Sequence, residues 1–388
     1  MGLHNNTREN LSVPQHRGGL INKYRDRLPV AAQTRAISLE EGDTPLVELH
    51  NISKDLDIPI SLHVKYEGMN PTGSFKDRGM TMAVTKAVEE GSQAIICAST
   101  GNTSASAAAY AARAGIKAFV LIPDGQIAMG KLAQAMMHGS VVIQIKGNFD
   151  EGMHLVKEIA EQAPLTIVNS INPYRLQGQK TVAFEVVEQL GAAPDYHCLP
   201  VGNAGNITAH WMGYAECARG SNNTITKACS YCSGKCPYAR DLVQTRPVMV
   251  GYQASGAAPF IKGKSIENPE TIATAIRIGN PQSWEFAWSA SRESDGWFDH
   301  CTDEEILKAH KLLAEREGIF CEPASAISIA GALRDIRNGK IPPRSTVVCT
   351  VTGHGLKDPN TAISQCEGRL LTVTAKTDTV KRAIFDNL

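Results

Sequence analysis

The chain has 388 residues, 43% of them hydrophobic and 20% charged, a composition able to bury a sizeable core in two domains or in one large α/β unit with a subdomain. Its formal net charge is zero, so no bulk field draws it to nucleic acid or to an acidic membrane surface, and no apolar run is long enough to span a bilayer. Ten cysteines without a visible secretory signal point to a reducing compartment, the cytoplasm, with thiols mostly free.

Short β-branched runs alternate with helical patterns. In chain order, strands are expected at 58–66 (IPISLHVKY), 94–100 (AIICAST), 117–123 (KAFVLIP), 141–147 (VVIQIKG), 165–170 (LTIVNS), 195–202 (DYHCLPVG), 247–253 (PVMVGYQ) and 345–353 (STVVCTVTG). Most are continuous apolar runs, as suits strands covered on both faces of a parallel sheet. Helices are expected at 102–115 (NTSASAAAYAARAG) and 302–318 (TDEEILKAHKLLAEREG). The second has Thr302 as N-cap, Glu305 three residues on, and Gly318 as a stop. The alternation predicts an α/β architecture. Ligands in such folds sit beyond the carboxyl ends of strands, where strand turns into helix.

Four such turns carry chemistry. In NPTGSFKDRGM (70–80), Pro71, Thr72 and Gly73 make a bend, Ser74 is placed to cap a helix, and Lys76 falls in its first turn. A cation there opposes the helix macrodipole, whereas a neutral amine does not. A lysine of lowered pKa is what imine chemistry requires. Taken alone, Lys76 reads as a solvated charge paired with Asp77. The turn STGNTSAS (99–106) offers Asn and Thr donors at a helix start, either an anion pocket or ordinary capping. In VGNAGNITAH (201–210), closely spaced N–H groups suit a phosphate, with a plain βα turn as the equal alternative. It is not G-x-G-x-x-G, and no Walker lysine follows, so one phosphate on a small cofactor fits better than a dinucleotide or ATP. In TVTGHGLKD (350–358), Thr352 and His354 follow a strand end, and His354 is most simply a structural residue. A reactive lysine, an anion pocket, a single-phosphate cradle and a neutral hydroxyl are together what pyridoxal phosphate requires.

At these residues the chain resembles the threonine synthases, within the tryptophan-synthase-β-like (fold type II) pyridoxal-phosphate enzymes. The likeness runs from RGGLINKYRDRLPV (17–30) through SLEEGDTPL (38–46) to TGHGLKD (352–358). It implies a two-domain α/β fold with mostly parallel sheets flanked by helices. Residues 1–70 and 169–388 would form the larger, cofactor-binding domain, and residues 71–168 the smaller. It implies Lys76 as Schiff-base lysine and then general base, and Asn102 at the cofactor's 3-oxygen. Gly202, Asn203, Ala204, Gly205 and Asn206 would form the phosphate loop, with Thr352 at the pyridine nitrogen. A hydroxyl in that place leaves the ring a weaker electron sink than a carboxylate would. NSINPYRLQGQK (169–180) resembles the segment that takes the substrate's phosphate, through Asn169, Ser170 and Arg175, with Thr103 and Asn203 adding contacts. Arginine's fork suits that group. The implied reaction is O-phospho-L-homoserine plus water to L-threonine plus phosphate, the last step of threonine biosynthesis, in a homodimer without nucleic-acid or membrane partners. Threonine or serine dehydratase is the nearest alternative, and it needs no second phosphate site. A retired fold used as a metal or redox sensor is the alternative of another class.

One departure from the family pattern is the insertion at 217–246, with Cys217, Cys229, Cys232 and Cys236. The spacing C-x₂-C-x₃-C-P is one cysteine short of a ferredoxin run. Cys217 completes a set of four for zinc or an iron–sulfur cluster. A reversible disulfide between Cys229 and Cys232 and inert thiols remain open beside it.

Overall fold

The structure, a computed structural model, describes residues 18–99, 101–123, 129–146, 149–170, 172–218, 236–366 and 370–387. Among these residues the strands are, in chain order, β1 (Leu46–Glu48), β2 (Ser61–Tyr66), β3 (Ala94–Ala98), β4 (Lys117–Pro123), β5 (Val141–Ile145), β6 (Leu165–Ile167), β7 (Tyr196–Pro200), β8 (Val248–Ala254), β9 (Trp297–Cys301) and β10 (Thr346–Val351). They form a six-stranded sheet in the order β1-β2-β10-β7-β8-β9 and a four-stranded sheet in the order β5-β4-β3-β6. β1 runs antiparallel to β2, and every other pairing is parallel. The fold is α/β with mostly parallel sheets flanked by helices.

The expected strands are all present. The first begins at Ser61, because Asp57 takes a left-handed conformation at φ 52° and ends the preceding helix. β1 and β9 are additions. β1 has three residues, and β9 (WFDHC) mixes aromatic and polar residues at a sheet edge, so neither shows an apolar run.

The continuous apolar runs have the expected cause. In β10, Val347, Cys349 and Val351 enter one core with Ile327, Ile329 and Leu333 of the helix Pro323–Arg337. Val348 points the other way, to Trp211 and Tyr214 of the helix Gly205–Cys217. β3 divides likewise, Ile95 and Cys97 to one cluster and Ile96 and Ala98 to another. Side chains alternate along each strand, and helices cover both faces. Each such aliphatic side chain contributes about 1.5–3 kcal/mol on burial. The helix Asp303–Glu317 has its capping box: Glu305 N donates to Thr302 Oγ1 at 3.2 Å and Thr302 N to Glu305 Oε2 at 2.7 Å. Gly318 stops it at φ 68°.

Two glycines set the distance between two helices that matter below. The helix Pro173–Gln179 lies against the helix Lys76–Glu89. A Cβ on Gly178 would overlap the Arg78 carbonyl, and one on Gly79 would come 3.1 Å from Arg175 Cβ. Only bare backbone allows this approach, and it carries Arg175 towards the start of the Lys76 helix.

Candidate active site

Three segments remote in sequence are sewn together by backbone hydrogen bonds. Phe75 N donates to Thr352 O, His354 N to Gly73 O, and Glu322 N to Gly353 O, each at 2.9 Å. The start of the Lys76 helix, the end of β10 and the residue before the helix Pro323–Arg337 thus share one frame.

Lys76 begins its helix, and the cap differs from the expected one. Ser74 Oγ is buried without a partner. The bend is held instead by Asp77, whose carboxylate accepts from Thr72 N at 2.7 Å, Thr72 Oγ1 at 2.6 Å and Ser106 Oγ at 2.5 Å. Burial raises the Asp77 carboxyl to about 6 against those donors. Asp77 is therefore occupied and is not the partner of Lys76. Lys76 as a whole residue is half-buried, and its amine lies 4.3 Å from the centroid of the Phe75 ring. Burial, and then the Arg175 guanidinium, lower its pKa to about 7, with the Glu322 carboxylate opposing.

Two residues further on, Arg78 has the opposite surroundings. It is buried between Glu67, at 2.6 Å from Nε to Oε2, and Glu185, at 2.6 Å from Nη1 to Oε1. Lys65 Nζ reaches Glu185 Oε2 at 2.8 Å. Burial alone would raise both carboxyls, but Arg78 outweighs it and holds them below their ordinary value.

Asn102 opens the helix Asn102–Ala114 behind β3, and Thr103 follows it, half-buried. Asn102 Nδ2 donates to Glu322 Oε2 at 3.0 Å, and its Oδ1 is buried without a partner. Thr352 Oγ1 donates to Glu322 Oε1 at 3.2 Å and lies 2.8 Å from Ser325 Oγ. The loop after β7 is adjacent, since β7 pairs with β10. There Ala204 stands at φ 64°, an uncommon conformation for a residue with a side chain. Gly202 packs so that a Cβ would come 3.1 Å from Ile276 Cα. Asn203 O accepts from Ser283 N at 3.1 Å. The helix begins at Gly205, so its first N–H groups have no intrahelical acceptor. Both amide atoms of buried Asn206 are without partners.

Arg175 is buried, donates Nη1 to Val168 O at 3.2 Å, and keeps Nε unpartnered. Among the described residues it has no carboxylate in ion-pair range, and burial lowers it to about 10. Asn169 uses its whole amide on Ala98, giving Nδ2 to its O at 2.9 Å and taking its N at 3.0 Å. It ties the ends of β3 and β6 together. Ser170 follows it, half-buried.

Glu322 and Ser325 were not legible as site residues. In the sequence, Glu322 before Pro323 reads as an acidic residue at a helix start, which any helix favours. In the cysteine segment, Cys217 is buried, and its Sγ accepts from Arg27 Nη2 at 3.4 Å. Cys236 is half-buried. Cys229 and Cys232 lie outside the described residues. Among the described residues no group of three or more His, Cys, Asp or Glu is arranged to hold a metal ion.

A family model described as "Pyridoxal-phosphate dependent enzyme" matches residues 37–353. The chain is 55% identical over 348 residues to "Threonine synthase" of Synechocystis sp., covering 89% of this chain and 85% of that one. It is 56% identical over 346 residues to "Threonine synthase" of Mycobacterium tuberculosis, covering 89% and 90%. It is 50% identical over 354 residues to "Threonine synthase" of Methanocaldococcus jannaschii, covering 89% and 82%. Among solved structures, maize serine racemase superposes with a TM-score of 0.68 at 21% identity, covering 90% of this chain and 97% of that one. A fungal L-serine ammonia-lyase from Rhizomucor miehei gives 0.65 at 20% identity, covering 82% and 95%. At those identities the superpositions bear on fold alone.

Proposed function

The chain belongs to the pyridoxal-phosphate dependent enzymes and, within them, to the threonine synthases, and on that premise we propose that it converts O-phospho-L-homoserine and water into L-threonine and inorganic phosphate. The observation that carries the reading is one cleft with two cationic groups of different kinds. Lys76 offers an amine that is about half neutral near pH 7. Arg175 offers a permanently charged fork buried without a carboxylate, the setting for a substrate anion.

The residues fit the cofactor. Buried polar atoms without partners (Ser74 Oγ, Asn102 Oδ1, and Nδ2 and Oδ1 of Asn206) gather on the turns that would surround it. Lys76 would hold its aldehyde carbon, the first turn from Gly202 to Asn206 its phosphate, Asn102 its 3-oxygen and Thr352 its ring nitrogen. When bound, it supplies an electron sink that makes the substrate's α and β hydrogens acidic. The chain does the rest. Lys76 would take the α proton and, once that proton has been passed on, a β proton as phosphate leaves the γ carbon. It would return protons to the γ and α carbons as water adds its hydroxyl at the β carbon and its remaining hydrogen goes to the released phosphate. A pKa near the working pH suits an amine that must both take and give. Arg175, Thr103, Asn203 and Ser170 orient the substrate's phosphate. Asn169 acts by shaping the turn, since its amide is already bonded.

A dehydratase reading leaves Arg175 without a task. We further read residues 71–168 as the smaller domain, a division supported by the four-stranded sheet lying within 94–167. The described cysteines other than Cys236 are free, as suits a cytoplasmic enzyme. The homodimer is read from the family resemblance. Phosphate release from O-phospho-L-homoserine, measured beside ammonia release from threonine, tests the function. Ammonia without phosphate would overturn it.

A further inference from the structure

We propose that Glu322 is a positioning residue of the cofactor pocket: its two carboxylate oxygens hold Asn102 and Thr352 in register across the cleft and set a negative charge opposite the Lys76 amine. The inference rests on the reading of Lys76 as the cofactor's lysine.

Glu322 is buried, and among the described residues no cation stands within ion-pair range of it. Burying a carboxylate unpaired is costly, so its retention needs a reason. Its compensation comes from site residues. Asn102 Nδ2 donates at 3.0 Å to Oε2 and at 3.3 Å to Oε1, and Thr352 Oγ1 donates at 3.2 Å to Oε1. The helix Pro323–Arg337 starts at the next residue and adds the positive end of its dipole.

The two donors come from different halves of the molecule. Asn102 follows β3 of the four-stranded sheet, and Thr352 follows β10 of the six-stranded one. Glu322 is the joint between them. Space for it is built in, since a Cβ on Gly353 would come 2.6 Å from Glu322 Cδ.

The proton order is also determined. Ser325 Oγ accepts from Thr352 N at 2.8 Å and Gly353 N at 3.0 Å. Both its lone pairs are then in use, so its own proton goes to Thr352 Oγ1 at 2.8 Å. The single proton of Thr352 is therefore left for Glu322, and it would be the proton available to the ring nitrogen of a bound cofactor. Asn102 is fixed the same way, because only its NH₂ side can face a carboxylate.

The charged groups facing Lys76 are Arg175, from the helix Pro173–Gln179, and Glu322. They act in opposite directions on the amine. Removing the negative one leaves Arg175 unopposed.

The test compares wild type with E322Q and E322D. Glutamine removes the charge, and with its oxygen kept towards Thr352 it turns an NH₂ against Asn102 Nδ2, so the 3.0 Å contact to Asn102 is lost. Borohydride reduction of the holoenzyme with peptide mapping first asks whether Lys76 carries the cofactor. Acylation of Lys76 in the apoenzyme, followed against pH by mass spectrometry, then reads the amine directly. The wild-type profile is expected to be half-maximal at about pH 7, and that of E322Q at lower pH. Pyridoxal phosphate should bind E322Q about tenfold more weakly by equilibrium dialysis. E322D keeps the charge and shortens the reach, so its midpoint stays and its affinity falls, and this variant carries the test if E322Q does not fold. If Lys76 is tagged but E322Q matches wild type in midpoint and affinity, or E322D binds the cofactor like wild type, the inference about Glu322 is overturned alone. If Lys76 is not tagged, the underlying reading falls and the inference with it.

Discussion

Lys76 and Arg78 stand two residues apart on one helix, and the protein treats them in opposite ways. Arg78 is enclosed by Glu67 and Glu185, with Lys65 completing a buried set of two cations and two anions. Lys76 makes no hydrogen bond or ion pair among the described residues. The helix faces explain the difference. Arg78 turns into the joint between β2 and the helix Thr181–Leu190, where each charge meets its opposite. Lys76 stands at the helix start, where the cation acting on its amine is Arg175. A paired buried cation fixes architecture, whereas an unpaired one is available for chemistry.

Breaking each side of this contrast should give distinct losses. The largest is expected for Lys76→Ala, with turnover falling at least about 1,000-fold while the melting temperature stays within a few degrees. Steady-state phosphate release and a thermal melt check the pair of results. Arg78→Met should do the reverse first. It strands the buried Glu67 carboxylate, leaves Glu185 with Lys65 alone, and should cost about 3–5 kcal/mol in urea unfolding. Arg175→Ala sharpens the comparison, because it removes a second unpaired cation from the same cleft. KM for O-phospho-L-homoserine should rise about 10–100-fold with little change in stability, and unchanged kinetics would remove Arg175 from the site.

Smaller effects follow pH. Only neutral Lys76 attacks an aldehyde, and its folded value is about 7. Cofactor uptake by the apoenzyme should climb as pH rises through 7 and level off above it, which stopped-flow absorbance would follow. The smallest is on the paired side. Glu67 and Glu185 lie below their ordinary 4.5. Their stabilisation is complete above that pH and lost as pH falls below it, so the acid-unfolding midpoint of Arg78→Met should shift upward.

Much of this was legible beforehand, and the limits have physical causes. Strand positions could be read because both faces are covered, which writes burial into consecutive residues such as those of β10. Thr302, Glu305 and Gly318 could be read because caps are local. Ser74 was misread for the converse reason: a serine before a helix fits the local rule, but Asp77 takes the donors of the bend. Glu322 could not be found because its partners, Asn102 and Thr352, are brought to it by strand order alone. The tie of Cys217 to Arg27 is hidden in the same way, since the partner lies 190 residues away in the sequence.

β10 is the last strand to be made, yet it lies between β2 and β7 in the middle of its sheet. Until the ribosome has released residue 351, the larger sheet exists only as unjoined fragments, and Thr352 is not there to meet Phe75. A nascent chain therefore carries its lysine long before it owns a pocket, so capture of the vitamin-derived aldehyde must wait until the residues of β10 and Thr352 have been made.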